Sequence, residues 1–229
     1  MLADADLAKV AALIGDPCRA AFLLALTGGD ELSAGELAGR AGASSSLASG
    51  HLARLLDGGL VAAERRGRHR YYRLAGPDVA RAIEGLMTIA PNRPATNLRE
   101  STRGEAIRRA RTCYDHLAGR LGVGLTEALA RDGVLVTGDD GWRLSGAGRD
   151  RLEAFGLDLD GLDRRRRTLI RPCLDWTERR PHLAGGLGAA LAARILELGW
   201  VERLPETRAL LITTDGAGQM LAEFAVELC

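Results

Sequence analysis

The sequence predicts a mainly α-helical protein that carries small β-hairpins. Apolar residues recur at three- and four-residue spacing in several segments, beginning with Leu7, Val10 and Ile14, as the buried face of a helix requires. Between such segments lie short β-prone runs that flank glycine-containing turns, which is the pattern of hairpins. With 229 residues, the chain is long enough for two domains that each bury a core.

Four helices are predicted in the first sixty or so residues from their start and stop signals. Gly15 ends the first helix, and Asp16-Pro17 supplies an N-cap and a first-turn proline for the second. Ser33 and Glu36 match a capping box at the start of the third helix, and Ser44 precedes the fourth. Because the third and fourth helices are short and joined by a tight glycine turn, they predict a helix-turn-helix.

A hairpin with a basic tip follows the fourth helix, as in a winged helix. The runs 60–64 and 69–74 are rich in β-formers and flank a turn centred on 65–68. A fifth helix is predicted to begin at Pro77 and to end before the pair Pro91 and Pro94. We therefore predict a winged helix-turn-helix domain over 1–90, a linker over 91–98 and a C-terminal domain over 99–229.

An internal duplication is predicted in the C-terminal domain. The residues around Cys113 and His116 recur around Cys173 and His182, and the offset is 66 residues from the histidines onward. We expect two winged-helix-like lobes, about 99–162 and 163–229; the alternative is that short helix–hairpin–helix units are alike by chance. A helix over 99–119 is predicted to open the first lobe and would place Cys113 and His116 on one helical face.

Charge and composition exclude some classes of protein. The chain has 31 basic and 30 acidic residues, so an argument for nucleic-acid binding depends on where the charges lie. No apolar run approaches the length of a membrane span, and the N-terminus is acidic, unlike the start of a signal peptide. We therefore expect a cytoplasmic protein without a membrane partner, whose four widely spaced cysteines are reduced.

The fourth helix and the hairpin have side chains suited to double-stranded DNA. A helix in the major groove needs short hydrogen-bonding groups on its first turns, and phosphates need cationic groups nearby. The predicted contact residues are Ser45, Ser46, Ser49, His51 and Arg54 on the helix and Arg65, Arg66, Arg68 and Arg70 on the hairpin. Each part has a simpler interpretation: serines can cap a helix, a charged tip can be a solvated turn, and His51 can be a half-buried packing residue.

Three motifs, in order, resemble the ArsR (arsenical-resistance repressor) family. They are Ile-Gly-Asp-Pro-Cys-Arg at 14–19, Ser-Gly-His-Leu-Ala-Arg-Leu-Leu-Asp-Gly-Gly-Leu-Val at 49–61, and Gly-Arg-His-Arg-Tyr-Tyr-Arg-Leu at 67–74. The resemblance covers about the first 90 residues. It implies a repressor that binds an operator and that an inducer releases from the DNA. It also implies a homodimer built on the first and fifth helices, here through Leu7, Val10, Ile14, Val79, Ile83 and Met87.

The metal-binding positions of that family are changed in this chain. Its metal sensors carry paired cysteines on the helix before the recognition helix, or histidine and aspartate ligands on the fifth helix. Here 36–40 contains no thiol and 79–84 contains no histidine. We therefore expect no metal at the family's usual positions, and we place the response to an unknown small-molecule or redox effector in the C-terminal domain.

Four residues form the candidate sensor set: Cys113, His116, Cys173 and His182. If the duplication brings them together, they offer two thiolates and two imidazoles, which suffice for tetrahedral zinc or another thiolate-bound metal. Their spacing is not that of a zinc finger. Alternatively, the aspartates at 115 and 175 orient the histidines within a structural hydrogen-bond network.

Two other functions compete with a DNA-binding regulator. One is a small-molecule enzyme that uses the winged helix only for dimerisation, and the other is a protein-interaction adaptor. The enzyme needs a cofactor or phosphate site, yet the sequence has no G-x-G-x-x-G after a strand, no P-loop and no H-E-x-x-H. We therefore expect a regulator without catalytic residues.

Overall fold

A computed structural model describes residues 4–91, 94–138 and 141–227 of the chain. The chain forms two units, of which the first ends at Ile83 and the second begins at Glu84. This division falls within the fifth helix, upstream of the proline pair that we predicted as the boundary. Residues 92 and 93 of the predicted linker lie outside the described residues, so the linker stays a prediction.

The N-terminal unit has the element order of a winged helix. Its elements, with the whole of the fifth helix, are α1 (Leu7–Ile14), α2 (Pro17–Leu26), β1 (Leu32–Ser33), α3 (Ala34–Ala41), α4 (Ser45–Asp57), β2 (Val61–Arg66), β3 (His69–Leu74) and α5 (Pro77–Ile89). The three strands form an antiparallel sheet in the order β1-β3-β2. All the predicted helices of this unit are present, β3 has the predicted bounds, and β2 extends two residues closer to the wing tip than predicted.

Local capping explains where these helices begin. The Asp16 side chain accepts a hydrogen bond from the Arg19 amide, and Ser44 accepts one from the Leu47 amide. Ser33 and Glu36 form the complete capping box. Gly42 then adopts a left-handed conformation, with φ of 63°, and this turn separates α3 from α4.

A core of helix side chains fixes which face of α4 points outward. Phe22 and Leu23 of α2 and Leu37 of α3 are fully buried, together with Leu52 and Leu55 of α4. Since these positions define one side of the helix, the opposite side of α4 faces solvent.

The C-terminal unit is a chain of hairpins and helices. After the end of α5, its elements are α6 (Leu98–Arg109), β4 (Arg111–Cys113), β5 (His116–Ala118), α7 (Gly119–Arg131), β6 (Leu135–Gly138), β7 (Gly141–Leu144), α8 (Gly146–Ala154), α9 (Leu159–Asp163), β8 (Arg171–Leu174), β9 (Pro181–Ala184), α10 (Gly185–Glu197), β10 (Val201–Arg203), β11 (Leu210–Ile212) and α11 (Thr214–Phe224). These strands form separate antiparallel hairpins, which are β4–β5, β6–β7, β8–β9 and β10–β11.

The order hairpin, helix, hairpin, helix occurs twice in this unit. The helices α7 and α10 each have 13 residues and begin at Gly119 and Gly185, which both have positive φ. The same offset that we found in the sequence relates these two glycines. The order of elements thus agrees with the predicted repeat, while its origin by duplication stays an interpretation. We name 111–154 the first repeat and 171–224 the second.

The predicted helix over 99–119 is wrong in its second half. The helix α6 ends at Arg109, and β4 and β5 follow as a hairpin in which every strand residue is buried. Cys113 and His116 therefore face each other across two strands and do not share a helical face. Burial of the short strands against the second repeat decides the structure here, since tertiary contacts override local propensity.

The two repeats share one hydrophobic core. The helix α10 packs against β5 of the first repeat, and α7 packs against β9 of the second. Leu121, Leu129, Leu187 and Ile195 from the two helices are fully buried in the same cluster. None of the helices that the structure describes has the length and the apolar run needed to cross a bilayer.

Candidate nucleic-acid interface and a buried cysteine–histidine cluster

The outward face of α4 carries the predicted serines. Ser45, Ser46 and Ser49 are exposed, as is Arg54 one turn further along. Ser44, which precedes them, is the N-cap of α4. The exposed serine hydroxyls are therefore not needed to cap the start of the helix. This face combines short hydroxyl groups at the start of the helix with a cationic group near its end.

The structure gives His51 a different setting from the one we predicted. Its side chain is only 11% exposed, and its Nδ1 lies 3.2 Å from Arg19 Nη1 and 3.5 Å from Asp16 Oδ1. The imidazole also packs edge-on against Phe22. His51 therefore lies on the inner side of α4, and the half-buried interpretation describes it better than a contact with base edges.

Arg19 is a structural residue that our sequence reasoning missed. Its guanidinium is buried and donates hydrogen bonds to the carbonyls of Ala12 and Leu13, at 2.7 and 2.6 Å, at the end of α1. Through His51 it also contacts α4. The motif at 14–19 contained the signal, because Asp16 caps α2 and thereby orients Arg19. The segment thus fixes α1 and the inner side of α4 to α2.

The wing holds several cationic side chains close together. The register of β2 and β3 pairs Arg65 with Arg70 and Arg66 with His69, and Gly67, at φ of 60°, permits the turn next to Arg68. Among the described residues, no carboxylate forms an ion pair with Arg65, Arg68 or Arg70. These three guanidiniums can therefore meet phosphate groups.

Arg66 differs from the other wing arginines. Its Nη2 lies 2.6 Å from Glu31 Oε2 and 3.0 Å from Glu64 Oε2. The hydrogen bond that Arg66 donates to Glu64 lowers the pKa of Glu64, and the same bond raises the pKa of Arg66. Since two acids already engage it, Arg66 is the least available of the predicted phosphate contacts.

The four candidate sensor residues come together in the C-terminal unit. Their ligand atoms all lie within 4.8 Å of one another. The Sγ atoms of Cys113 and Cys173 are 3.9 Å apart, and the Nε2 atoms of His116 and His182 are 3.1 Å apart. The cluster (Cys113, His116, Cys173 and His182) thus takes one cysteine and one histidine from each repeat.

An aspartate accompanies each histidine of the cluster. Asp115 Oδ1 lies 3.3 Å from His116 Nδ1, and Asp175 Oδ2 lies 3.5 Å from His182 Nδ1. Asp175 is fully buried, accepts hydrogen bonds from the Gly119 amide at 2.7 Å and from Arg111 at 2.9 Å, and is thereby fixed in place. Burial raises the pKa of Asp175, but the charge of Arg111 and these hydrogen bonds outweigh it and lower the pKa.

The two thiols of the cluster have opposite electrostatic settings. The hydrogen bond from Cys113 lowers the pKa of Cys173 to about 3 despite its burial, and His116 and His182 add to this. The same hydrogen bond and burial raise the pKa of Cys113. The pKa values of the two thiols are thus shifted in opposite directions.

Two glycines lie beside the histidines of the cluster. A Cβ at Gly122 would lie 3.7 Å from the His182 Cβ, and a Cβ at Gly188 would lie 3.3 Å from the His116 Cβ. Each glycine belongs to the helix of one repeat and lies beside the histidine of the other. What excludes a side chain at these glycines is the strand before the helix, since a Cβ would lie 2.3 Å from Leu117 O at Gly122 and 2.5 Å from Leu183 O at Gly188.

The arrangement of the N-terminal unit defines a winged helix-turn-helix domain of a transcriptional regulator. Residues 14–63 match the family model described as "Helix-turn-helix domain". The chain is 43% identical over 211 residues to a curated protein, "Uncharacterized HTH-type transcriptional regulator YdfF" of Bacillus subtilis (strain 168), covering 92% of this chain and 93% of that protein. The chain therefore belongs to the family of HTH-type transcriptional regulators.

Solved structures match somewhat more than a third of the chain. Reduced HlyU from Vibrio cholerae is 30% identical, with a TM-score of 0.34, and the match covers 37% of this chain and 88% of that one. The transcriptional repressor BigR from Xylella fastidiosa is 26% identical, with a TM-score of 0.36, and the match covers 38% of this chain and 89% of that one.

Proposed function

We propose that this regulator is a homodimeric repressor that binds a specific double-stranded DNA operator and whose C-terminal unit responds to an effector. The observation that carries the proposal is the pairing of an exposed serine face on α4 with a wing that presents unpaired arginines. The proposal uses Ser45, Ser46 and Ser49 for base contacts and Arg54, Arg65, Arg68 and Arg70 for phosphates, and it omits His51.

Base recognition is assigned to the serines because of their size and position. Hydroxyl groups on the first turns of a helix can donate to and accept from base edges in the major groove. Ala48 and Leu52, on the other side of the helix, are fully buried, so the orientation of the serines is set by the core. His51 contributes indirectly, because its contact with Arg19 holds the inner side of the helix.

Affinity is assigned to the wing. A guanidinium with no carboxylate partner can form a bidentate hydrogen-bonded pair with a phosphate and release the counterions around it. Arg65, Arg68 and Arg70 meet this condition among the described residues, whereas Arg66 is already engaged by Glu31 and Glu64. Phosphate contacts by these groups would set the position of the domain, and the serines would set the sequence.

A second copy of the chain is the proposed partner for α1. This helix has no buried residue, and its Leu7 and Val10 side chains are 76% and 37% exposed. Apolar side chains at helical spacing on an exposed face favour association with another apolar surface. The family resemblance assigns this helix to the dimer interface, and a dimer would present two recognition helices to two half-sites.

The effector is assigned to the C-terminal unit. The family's usual metal positions on α3 and α5 carry neither cysteine nor histidine, whereas the C-terminal unit contains the cysteine–histidine cluster. Release of DNA on effector binding requires that the effector bind the two states of the dimer with different affinity.

Binding of Ser46→Ala to duplex DNA tests the assignment of base contacts. The duplex is one that the wild-type protein selects from a random library, and fluorescence anisotropy measures Kd on this duplex and on a scrambled one. Loss of one hydrogen bond from each protomer of the proposed dimer, about 1 kcal/mol apiece, predicts about 30-fold weaker binding to the selected duplex and little change on the scrambled one.

Ser101→Ala is the matched control, since Ser101 is an exposed helical serine in α6 of the C-terminal unit. It should bind both duplexes as the wild type does. Equal losses on the two duplexes for Ser46→Ala would contradict the assignment of base contacts. Failure of the wild type to select any duplex would favour the interaction adaptor instead.

A further inference from the structure

We propose that Cys113, His116, Cys173 and His182 bind one divalent zinc-class ion in a tetrahedral site that joins the two repeats of the C-terminal unit. This inference goes beyond the proposed function, because it stands whether or not the protein binds DNA. It concerns a position that lies outside the α3 and α5 sites of the resembled family.

Two of the six ligand–ligand distances are close to the edges of a tetrahedron around one ion. Zinc–sulfur bonds of about 2.3 Å and zinc–nitrogen bonds of about 2.0–2.1 Å imply a sulfur–sulfur edge of about 3.8 Å and a nitrogen–nitrogen edge of about 3.3 Å. The Sγ–Sγ distance of 3.9 Å and the Nε2–Nε2 distance of 3.1 Å lie close to these edges. Two sulfur and two nitrogen ligands are a set that favours zinc.

Strand pairing explains how each repeat supplies two ligands. Cys113 pairs with His116 across β4 and β5, and Cys173 pairs with His182 across β8 and β9. Residues directly opposite on antiparallel strands project from the same face of the hairpin, with their Cβ atoms about 5 Å apart. Each hairpin thus presents one sulfur and one imidazole to the other hairpin.

The surroundings of the histidines favour coordination through Nε2. His116 Nδ1 is within hydrogen-bond distance of Asp115, and His182 Nδ1 lies 3.5 Å from Asp175 but makes no hydrogen bond among the described residues. An Nδ1–H directed toward a carboxylate leaves the Nε2 lone pair free for a metal ion, and metal-ligating histidines almost always have such a partner. The two Nε2 atoms lie 3.1 Å apart, and each histidine has a ring nitrogen within 4.8 Å of both sulfurs, so one ion can lie between the four side chains.

Other uses of the cluster satisfy fewer of its atoms. A disulfide requires the sulfurs to approach to about 2.05 Å from their 3.9 Å separation, and it leaves the converging histidines without a role. A purely structural network accounts for the contact between the two Nε2 atoms but gives no role to the two sulfurs beside them. One cation neutralises the thiolates and takes all four lone pairs, and burial of His182 and Cys113 would exclude competing water.

Metal analysis of the full-length, untagged protein tests the site. The protein is purified under reducing conditions, stripped with a chelator and reloaded with Zn²⁺ or Co²⁺. We expect about one tightly held zinc per chain. The cobalt form should show the intense visible bands of tetrahedral Co²⁺ and a thiolate-to-metal charge-transfer band.

Two variants locate the ion, and a third is the control. Cys173→Ser should abolish the charge-transfer contribution of one thiolate and lower the zinc affinity. Asp115→Asn, which keeps all four ligands, should weaken zinc binding about 10–100-fold with the cobalt spectrum retained. Cys18→Ser, in the N-terminal unit, should bind metal as the wild type does.

Three results would overturn the proposal. The first is a folded wild-type protein that takes up neither zinc nor cobalt under reducing conditions. The second is a Cys173→Ser protein that retains the wild-type stoichiometry, affinity and cobalt spectrum. The third is a Cys113–Cys173 disulfide that forms in the presence of excess zinc. The measurements on the wild type need no variant to fold, and none of them depends on DNA.

Discussion

The wing arginines allow a quantitative prediction about DNA binding, and Arg68 is the most informative of them. It lies next to the turn at the wing tip, is exposed, and has no carboxylate partner among the described residues. In the proposed dimer, Arg68→Ala removes one phosphate contact from each protomer. Each lost contact should reduce the slope of log K against log salt by about 0.9, or by about 1.8 for the dimer.

This slope converts into a measurable change of affinity. Between 50 and 200 mM salt, a contribution of about 1.8 to the slope corresponds to about a 12-fold change in Kd. The wild-type protein should therefore lose about 12-fold more affinity over this range than Arg68→Ala loses. Fluorescence anisotropy titrations at four or five salt concentrations, on both selected and scrambled duplexes, measure the two slopes.

Arg143→Ala separates a local contact from the net charge. Arg143 is an exposed arginine on β7 of the C-terminal unit, so its loss changes the net charge by the same amount. Its salt slope should stay within error of the wild type. Identical slopes for wild type and Arg68→Ala would refute the phosphate contact. Equal changes of slope for Arg68→Ala and Arg143→Ala would show that only the net charge matters and not the position of Arg68 in the wing.

Two further predictions concern the stability of the C-terminal unit, measured by urea unfolding of the full chain. Arg111→Met leaves the buried carboxylate of Asp175 without its cation and should cost about 3–5 kcal/mol, so a loss below 1 kcal/mol would contradict the assigned ion pair. Gly188→Ala would place a Cβ 2.5 Å from the Leu183 carbonyl oxygen and should lower the free energy of unfolding by about 1–3 kcal/mol or more. Gly218→Ala is the control, since the space around Gly218 is open, and it should stabilise the protein slightly. Similar effects of the two substitutions would refute the packing argument.

Signals that act over a few residues made the N-terminal unit predictable. Asp16, Ser33 and Ser44 cap helices within three residues of themselves, and the spacing of apolar residues shows which side of each helix is buried. The setting of His51 was not accessible in this way. Its partner Arg19 lies 32 residues earlier, and no local pattern reports that contact.

The hairpins of the cluster lacked the usual turn signals. In the first, Tyr114 takes a positive φ of 61° between β4 and β5, where glycine or asparagine would have indicated a turn. In the second, Arg179 does the same at 58° in the longer connection from β8 to β9. The repeat in the sequence nevertheless grouped the four correct residues, because it depends on the order of residue types and needs no assignment of helix or strand.

The packing of α7 on β9 and of α10 on β5 has a consequence for how the C-terminal unit folds. Each hairpin and helix can form from neighbouring residues, but the contacts that bury them join positions about sixty residues apart in the chain. Closure of such long loops costs entropy before any burial compensates for it, so this step should be slow and highly cooperative. If the chain were cut between the repeats, each half would expose the apolar surface that the other half covers in the intact chain. We would expect the two fragments to associate with each other.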